Sequence, residues 1–292
     1  MNKRISLLLL LSLILASCRS YINEYQFTIS HAGFSVDVTY ETTSEDLSND
    51  TIQPVLQAHL AKLHDDYASN VSNSWVSQFN QAENSDQLTV PSEFSAILRM
   101  TKLISDTADG CFSIASSWPD DMNKRSDVSE TNVAKEVFLA YGGFVRKIDP
   151  AAKIDLAPLF NSIVSESIAD QLSAKGINNF KVSAKQVEII SGKYKATDVM
   201  FEKAQSHAFV EAKKLTQGNF NKIAAASSNQ DSRMELTDRE QSRFPAVIVY
   251  HDDAVRAQIW ANALACLSPE QRQLVARGNN IQAVFEETSE QG

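Results

Sequence analysis

Three groups of residues could carry chemistry by their type and spacing. The first is Leu15-Ala16-Ser17-Cys18, which closes an apolar run beginning at Ile5 and preceded by Lys3 and Arg4. A charged start, a short apolar core and small residues ahead of a cleavage point make an export leader, too short to span a bilayer. A cysteine directly after those small residues has the pattern of a bacterial lipobox, so Cys18 is expected to be acylated and to become the first residue of the processed chain. The second group, His251-Asp252-Asp253, could bind a cation, but an acidic pair ahead of a helical pattern reads first as an N-cap. The third is Gln258 and Asn262, which share one face of a helix at a spacing of four. On their own they are two polar positions with amide oxygens and no charge.

Other chemistries find little support. Five histidines, His31, His59, His64, His207 and His251, show no zinc-ligand spacing, and Cys111 has no basic neighbour in sequence to lower its thiol pKa. No P-loop and no nucleophile elbow occurs. Only 9 glycines in 292 residues leave little material for backbone phosphate cradles. The formal charge is −9, and removal of Lys3 and Arg4 with the leader makes the processed chain more acidic still. Nucleic acid is therefore excluded as a partner, because phosphate contacts need a basic face. A disulfide between Cys111 and Cys266 is permitted by an oxidising compartment, but spacing alone does not establish it.

The elements that must position these residues follow from periodicity. Residues 26–40 alternate, with Phe34, Val36, Val38 and Tyr40 on one side, and predict a strand or hairpin. Thr51 is expected to cap a helix to Leu63 with Ile52, Val55, Leu56, His59, Leu60 and Leu63 on one face, His59 at the core edge. Pro91-Ser92 opens a second helix carrying Phe94, Ile97, Leu98, Thr101 and Ile104, stopped by Asp109-Gly110. A loop is expected over 117–131, a strand over 144–148, and a helix over 161–175 ended by Gly176. Short strands at 180–182 and 187–190 precede a stretch without a clear signal, and a β-branched strand at 246–250 leads into a last helix reaching Leu267. Strands and helices alternate without a strict βαβ repeat, so the fold class is α+β.

The order of these segments adds a resemblance. Ser74-Trp75-Val76-Ser77-Gln78-Phe79-Asn80, Thr107-Ala108-Asp109-Gly110-Cys111-Phe112, Ile154-Asp155-Leu156, Gly176-Ile177-Asn178-Asn179-Phe180 and the terminal run from Ala246 to Leu264 together resemble the bacterial FAD:protein FMN transferases, the ApbE family. The likeness covers Gly33 to Leu267. With the leader at 1–17 and the lipidated start and tether at 18–32 read from their own residues, it implies a single ApbE-like domain at 33–267 and a C-terminal extension at 268–292. The implied chemistry is Mg²⁺-dependent transfer of FMN from FAD to a threonine or serine of a target protein, with AMP leaving. Asn80, Gly110 and Asp238 stand at positions the resemblance assigns to cofactor binding.

Departures fall at the chemistry. The family's aspartate and threonine, four apart in the last helix, are Gln258 and Asn262 here, and two neutral amides do not replace a carboxylate for a strongly hydrated dication. In the run corresponding to the family's Asp-Leu-Gly-Gly-Ile-Ala-Lys-Gly-Tyr-Ala-Val-Asp, Asp155 is kept and Glu166 is conservative. The glycines have become Ala157, Pro158 and Ser162, and the lysine Asn161. These departures imply a catalytically degenerate member serving as a binding or partner protein in flavin or redox maturation, while the lipobox and the Arg19 after its cysteine point to a lipoprotein on the periplasmic face of a bacterial membrane, outer membrane favoured. It is anchored through Cys18, meets a periplasmic protein partner and holds no cofactor. The alternative is a working transferase, which would take FAD and Mg²⁺.

Overall fold

The computed structural model describes residues 21–83, 86–110, 112–115, 137–194, 222–228 and 247–285. Among them lie ten strands and six helices. Strands β1 (Asn23–His31) and β2 (Phe34–Thr42) form the expected hairpin, with Val36, Val38 and Tyr40 buried and Ser35 and Asp37 outward. Antiparallel pairing then runs β1-β2-β6-β7-β8-β9-β10, through β6 (Asn179–Ala184), β7 (Val187–Ser191), β8 (Lys222–Ser227), β9 (Val247–His251) and β10 (Gln282–Phe285). A second sheet, β3-β5-β4, is built from β3 (Gln87–Thr89), β4 (Phe138–Tyr141) and β5 (Phe144–Lys147). The turn between β4 and β5 uses Gly142 and Gly143 at positive φ, a conformation that side chains resist.

Helices cover one face of the large sheet. Helix α1 (Asn49–Tyr67) packs on β1, α4 (Ala157–Ala174) on β6 and β7, and α5 (Ala254–Ala265) on β8 and β9. The short α2 (Trp75–Gln81) follows α1, α3 (Ser92–Thr107) lies against β4 and α5, and α6 (Pro269–Gly278) follows α5. The core between these layers includes Ile29, Val38, Leu56, Leu60, Leu159, Ile168, Val182, Ile189 and Ile259, all inaccessible. No helix among the described residues is long and apolar enough to cross a membrane.

Several boundaries differ from the sequence expectation. Helix α1 starts at Asn49 with Ser48 at its N-cap, so Thr51 lies inside it. Val55, expected on the buried face, is 42% exposed, because the stripe that meets the sheet is Ile52, Leu56, Leu60 and Leu63. His59 is at the core edge as expected and hydrogen-bonds Ser167 of α4 at 2.7 Å. Helix α4 begins at Ala157, a turn earlier than expected, because Pro158 is tolerated in a first turn whose N–H groups have no helical partner. Its end at Gly176, φ +79°, is as read.

Strand β8 is absent from the sequence reading. Its Lys-Ile-Ala-Ala-Ala-Ser run has low strand propensity, and tertiary pairing with β7 and β9 overrides it. At the ends, β1 begins inside the segment assigned as tether, while α6 and β10 occupy the segment assigned as extension. Both terminal strands are integral to the large sheet, so the domain reaches from Asn23 to Phe285. The loop expected at 117–131 lies outside the described residues.

Candidate functional site

Helix α5 leaves β9 through His251-Asp252-Asp253. Asp253 accepts the Arg256 N–H at 2.8 Å as N-cap, and His251 Nδ1 accepts the Asp253 N–H at 3.0 Å. These residues therefore start the helix. One turn on, Gln258 and Asn262 share a face as their spacing requires, and both are buried, at 2% and 7% exposure. The Gln258 amide donates to the Ser227 carbonyl of β8 at 2.8 Å and to Asn262 Oδ1 at 3.1 Å. The amide pair is thus knitted to itself and to the strand. Its Asn262 oxygen, which a cation would need, already accepts a hydrogen bond. A hard dication prefers several oxygen ligands including carboxylates, so these residues do not fit Mg²⁺.

The second cluster forms where α4 begins. The Asn80 amide, on α2, grips the backbone of Ile154 from both sides: Nδ2 donates to the Ile154 carbonyl at 2.9 Å and Oδ1 accepts its N–H at 2.7 Å. Asp155 is held next to this clamp, its N–H bonded to the Ile114 carbonyl at 2.8 Å. Three backbone positions that open α4 offer nothing to a phosphate. The Ala157 N–H is taken by Asp155 Oδ1 at 3.0 Å, Pro158 has none, and the Leu159 N–H bonds the Leu156 carbonyl at 2.9 Å. Ser162 is inaccessible and turns its hydroxyl onto the Leu159 carbonyl at 2.7 Å, while Asn161 is half-buried beside it.

Glu166 lies farther along α4 and serves another junction. One carboxylate oxygen pairs with Lys222 of β8, and the other accepts the Ala254 N–H at the start of α5 at 2.9 Å. Burial pushes the Glu166 carboxyl above its usual range, with Lys222 and the Ala254 N–H offsetting part of that rise. Burial also draws the Lys222 ammonium down, but the Glu166 hydrogen bond and charge outweigh it and hold it above the ordinary lysine value. The Glu166 side chain is the more deeply set of the two, 17% exposed against 23% for Lys222. At 1.5 Å per residue, Ala254 lies roughly 6 Å along α5 from Gln258 and roughly 12 Å from Asn262, and both Glu166 oxygens are already engaged, by Lys222 and by the Ala254 N–H.

The sites named from the sequence are thus partly gathered. Asn80 meets the Asp155 segment, and Gln258 meets Asn262; Glu166 is engaged one turn before Gln258, at the start of α5, and Gly110, φ +72°, follows Asp109 in the left-handed turn after α3. Asp238, Cys18 and Cys111 lie outside the described residues. Cys266 is disulfide-bonded. Sequence reading missed Ser227, Lys222 and the Ile154 backbone as partners, and no local signal marks them, since each is tens of residues from the group it serves. A cleft of about 890 Å³ opens on another face of α5, between Tyr67, Glu93, Met100, Glu166, Arg256 and Trp260. None of Asn80, Asp155, Asn161, Ser162, Gln258 and Asn262 lines it.

A seven-stranded antiparallel sheet packed with helices and a small three-stranded second sheet make an α+β architecture, with the polar pair on α5. A family model described as the ApbE family matches residues 32–285, and the chain belongs to that family. Solved structures agree at the level of fold. The flavin transferase ApbE of Vibrio cholerae superposes with TM-score 0.67 at 16% identity, covering 91% of this chain and 94% of that one. The flavinyl transferase ApbE of Pseudomonas stutzeri, in apo form, gives 0.64 at 17% identity over 90% and 92% of the two chains. The ApbE protein of Thermotoga maritima gives 0.62 at 15% identity over 90% and 94%. A sequence comparison with curated proteins finds no match.

Proposed function

We propose that this chain is a non-catalytic member of the ApbE family, anchored by lipid at Cys18 to the periplasmic face of a bacterial membrane, where it serves as a binding or partner protein in flavin or redox maturation. The observation that carries the reading is the buried Gln258–Asn262–Ser227 network, in which the Gln258 amide bonds the Ser227 carbonyl and the Asn262 oxygen, all neutral groups where metal chemistry would need charge. The consumed N–H groups at the start of α4 support it, because a dinucleotide's phosphates would find no donors among Ala157, Pro158 and Leu159. The disulfide at Cys266 supports an oxidising compartment, in keeping with the leader and lipobox at 1–18.

The test is an AMP-release assay. The purified protein, incubated with FAD, Mg²⁺ and a peptide bearing an acceptor threonine, is expected to release no AMP above background. Magnesium-dependent AMP release would overturn the reading and make the chain a working FMN transferase. Anchoring is checked separately by fatty-acid labelling in cells, which Cys18→Ala is expected to abolish; undiminished labelling would remove the anchor from the proposal.

A further inference from the structure

The turn of the first hairpin meets the last turn of α1, and two histidines and an aspartate converge there. His31 ends β1, just before Ala32 and Gly33, both at positive φ, while His64 and Asp65 belong to α1. The two imidazole rings stand 5.1 Å apart at 71° to each other. One donor atom from each of His31, His64 and Asp65 falls within 4.8 Å of the others. His64 is only 8% exposed, and its Nδ1 has no hydrogen-bond partner among the described residues. That nitrogen lies 3.8 Å from Asp65 Oδ1. A buried polar atom left unpartnered is costly, and here it lies near the Asp65 carboxylate on a ring packed against a second imidazole.

We propose that His31, His64 and Asp65 form a binding site for a borderline divalent cation of the Zn²⁺ type. The donor set decides the class: two imidazole nitrogens and one carboxylate oxygen suit zinc, whereas Mg²⁺ and Ca²⁺ call for oxygen throughout. Zinc–ligand bonds of about 2.0–2.1 Å in a tetrahedron put ligand atoms roughly 3.4 Å apart. The His64–Asp65 separation is already near that value, and closing the set requires rotation of the His31 and Asp65 side chains, both of which reach solvent. Phe34 and Phe160, each with its ring centre 6.2 Å from that of His64, pack against that imidazole, and water would take the fourth position of the bound ion. Bound metal would pin the hairpin turn to the end of α1. The site shares no residue with the α5 amide pair, so it stands or falls independently of the functional proposal.

Calorimetric titration of the purified full-length protein in detergent with Zn²⁺, at about pH 8 where imidazole is ordinarily neutral, tests it. One ion per chain is expected to bind with micromolar or tighter affinity and to raise Tm. His31→Ala and Asp65→Asn, both at accessible positions, are each expected to weaken binding by about tenfold or more while leaving Tm in EDTA unchanged. Co²⁺ in place of zinc is expected to give the strong visible bands of four-coordination, lost in His31→Ala. No binding by the parent protein, or undiminished binding in both variants, would overturn the proposal.

Discussion

At 2% exposure the Gln258 amide has exchanged water for Ser227 and Asn262, and a carboxylate in its place would bury a charge beside an amide oxygen and a carbonyl. Gln258→Asp is therefore expected to lower Tm, on the scale of several kcal/mol for an uncompensated buried ion. In Gln258→Asp with Asn262→Thr, Mg²⁺ is expected to restore part of that loss, read by thermal denaturation with and without the ion. Transfer is not expected to return, because Ala157, Pro158 and Leu159 still give a phosphate nothing to bind. His59 supplies a pH dependence. Burial, with Lys62 nearby, holds its imidazole below the usual range, so between that lowered value and the ordinary histidine value the unfolded chain binds the extra proton. Its contribution is intact above the ordinary histidine pKa and is lost as pH falls toward the lowered one. His59→Gln is expected to flatten that part of a Tm-against-pH curve; an unchanged slope would show that His59 is not its source.

Among the elements, the entry to α4 is set by a residue outside it. Asn80 fixes Ile154 from both sides, and Lys147, buried over the Phe79 ring, in turn donates to the Asn80 and Ala82 carbonyls at the end of α2. The small sheet, α2 and the start of α4 are therefore tied together by hydrogen bonds. Asn80→Ala would leave the Ile154 N–H and carbonyl without partners, at about 1–3 kcal/mol for each group left unsatisfied. It is expected to lower stability and to speed hydrogen exchange at Ile154 and Asp155. Exchange confined to other segments would show that Asn80 does not hold this junction.

For the whole molecule, the large sheet is what joins the termini to the domain. Strand β10 pairs Gln282 to Phe285 against β9, and α6 is started by a capping box from Ser268 and Gln271. Deleting the chain from Ser268 onward would strip the pairing from β9, whose Val247 and Val249 are fully buried, and leave an open apolar edge. The truncated protein is expected to melt at lower temperature and to aggregate, observed by thermal denaturation and light scattering. A monomeric product of unchanged Tm would restore the reading of 268–292 as an extension outside the domain.

Local pattern alone determined much of this protein. Alternation in 34–40, most of the apolar stripe of α1 and that of α3, an acidic cap at Asp252 or Asp253 and the Gly176 stop are all visible in sequence, because burial periodicity and end chemistry act over one or two turns. The i, i+4 placement of Gln258 and Asn262 was equally legible, since helix geometry fixes it. What those residues do was not. Ser227 reaches Gln258, Lys222 reaches Glu166 and His31 reaches His64 across 31, 56 and 33 positions of sequence, and strand β8 exists because its neighbours pair with it rather than because its alanines prefer extension. Only the tertiary structure decided these, because a polar group's role depends on which distant group satisfies it after water has been excluded.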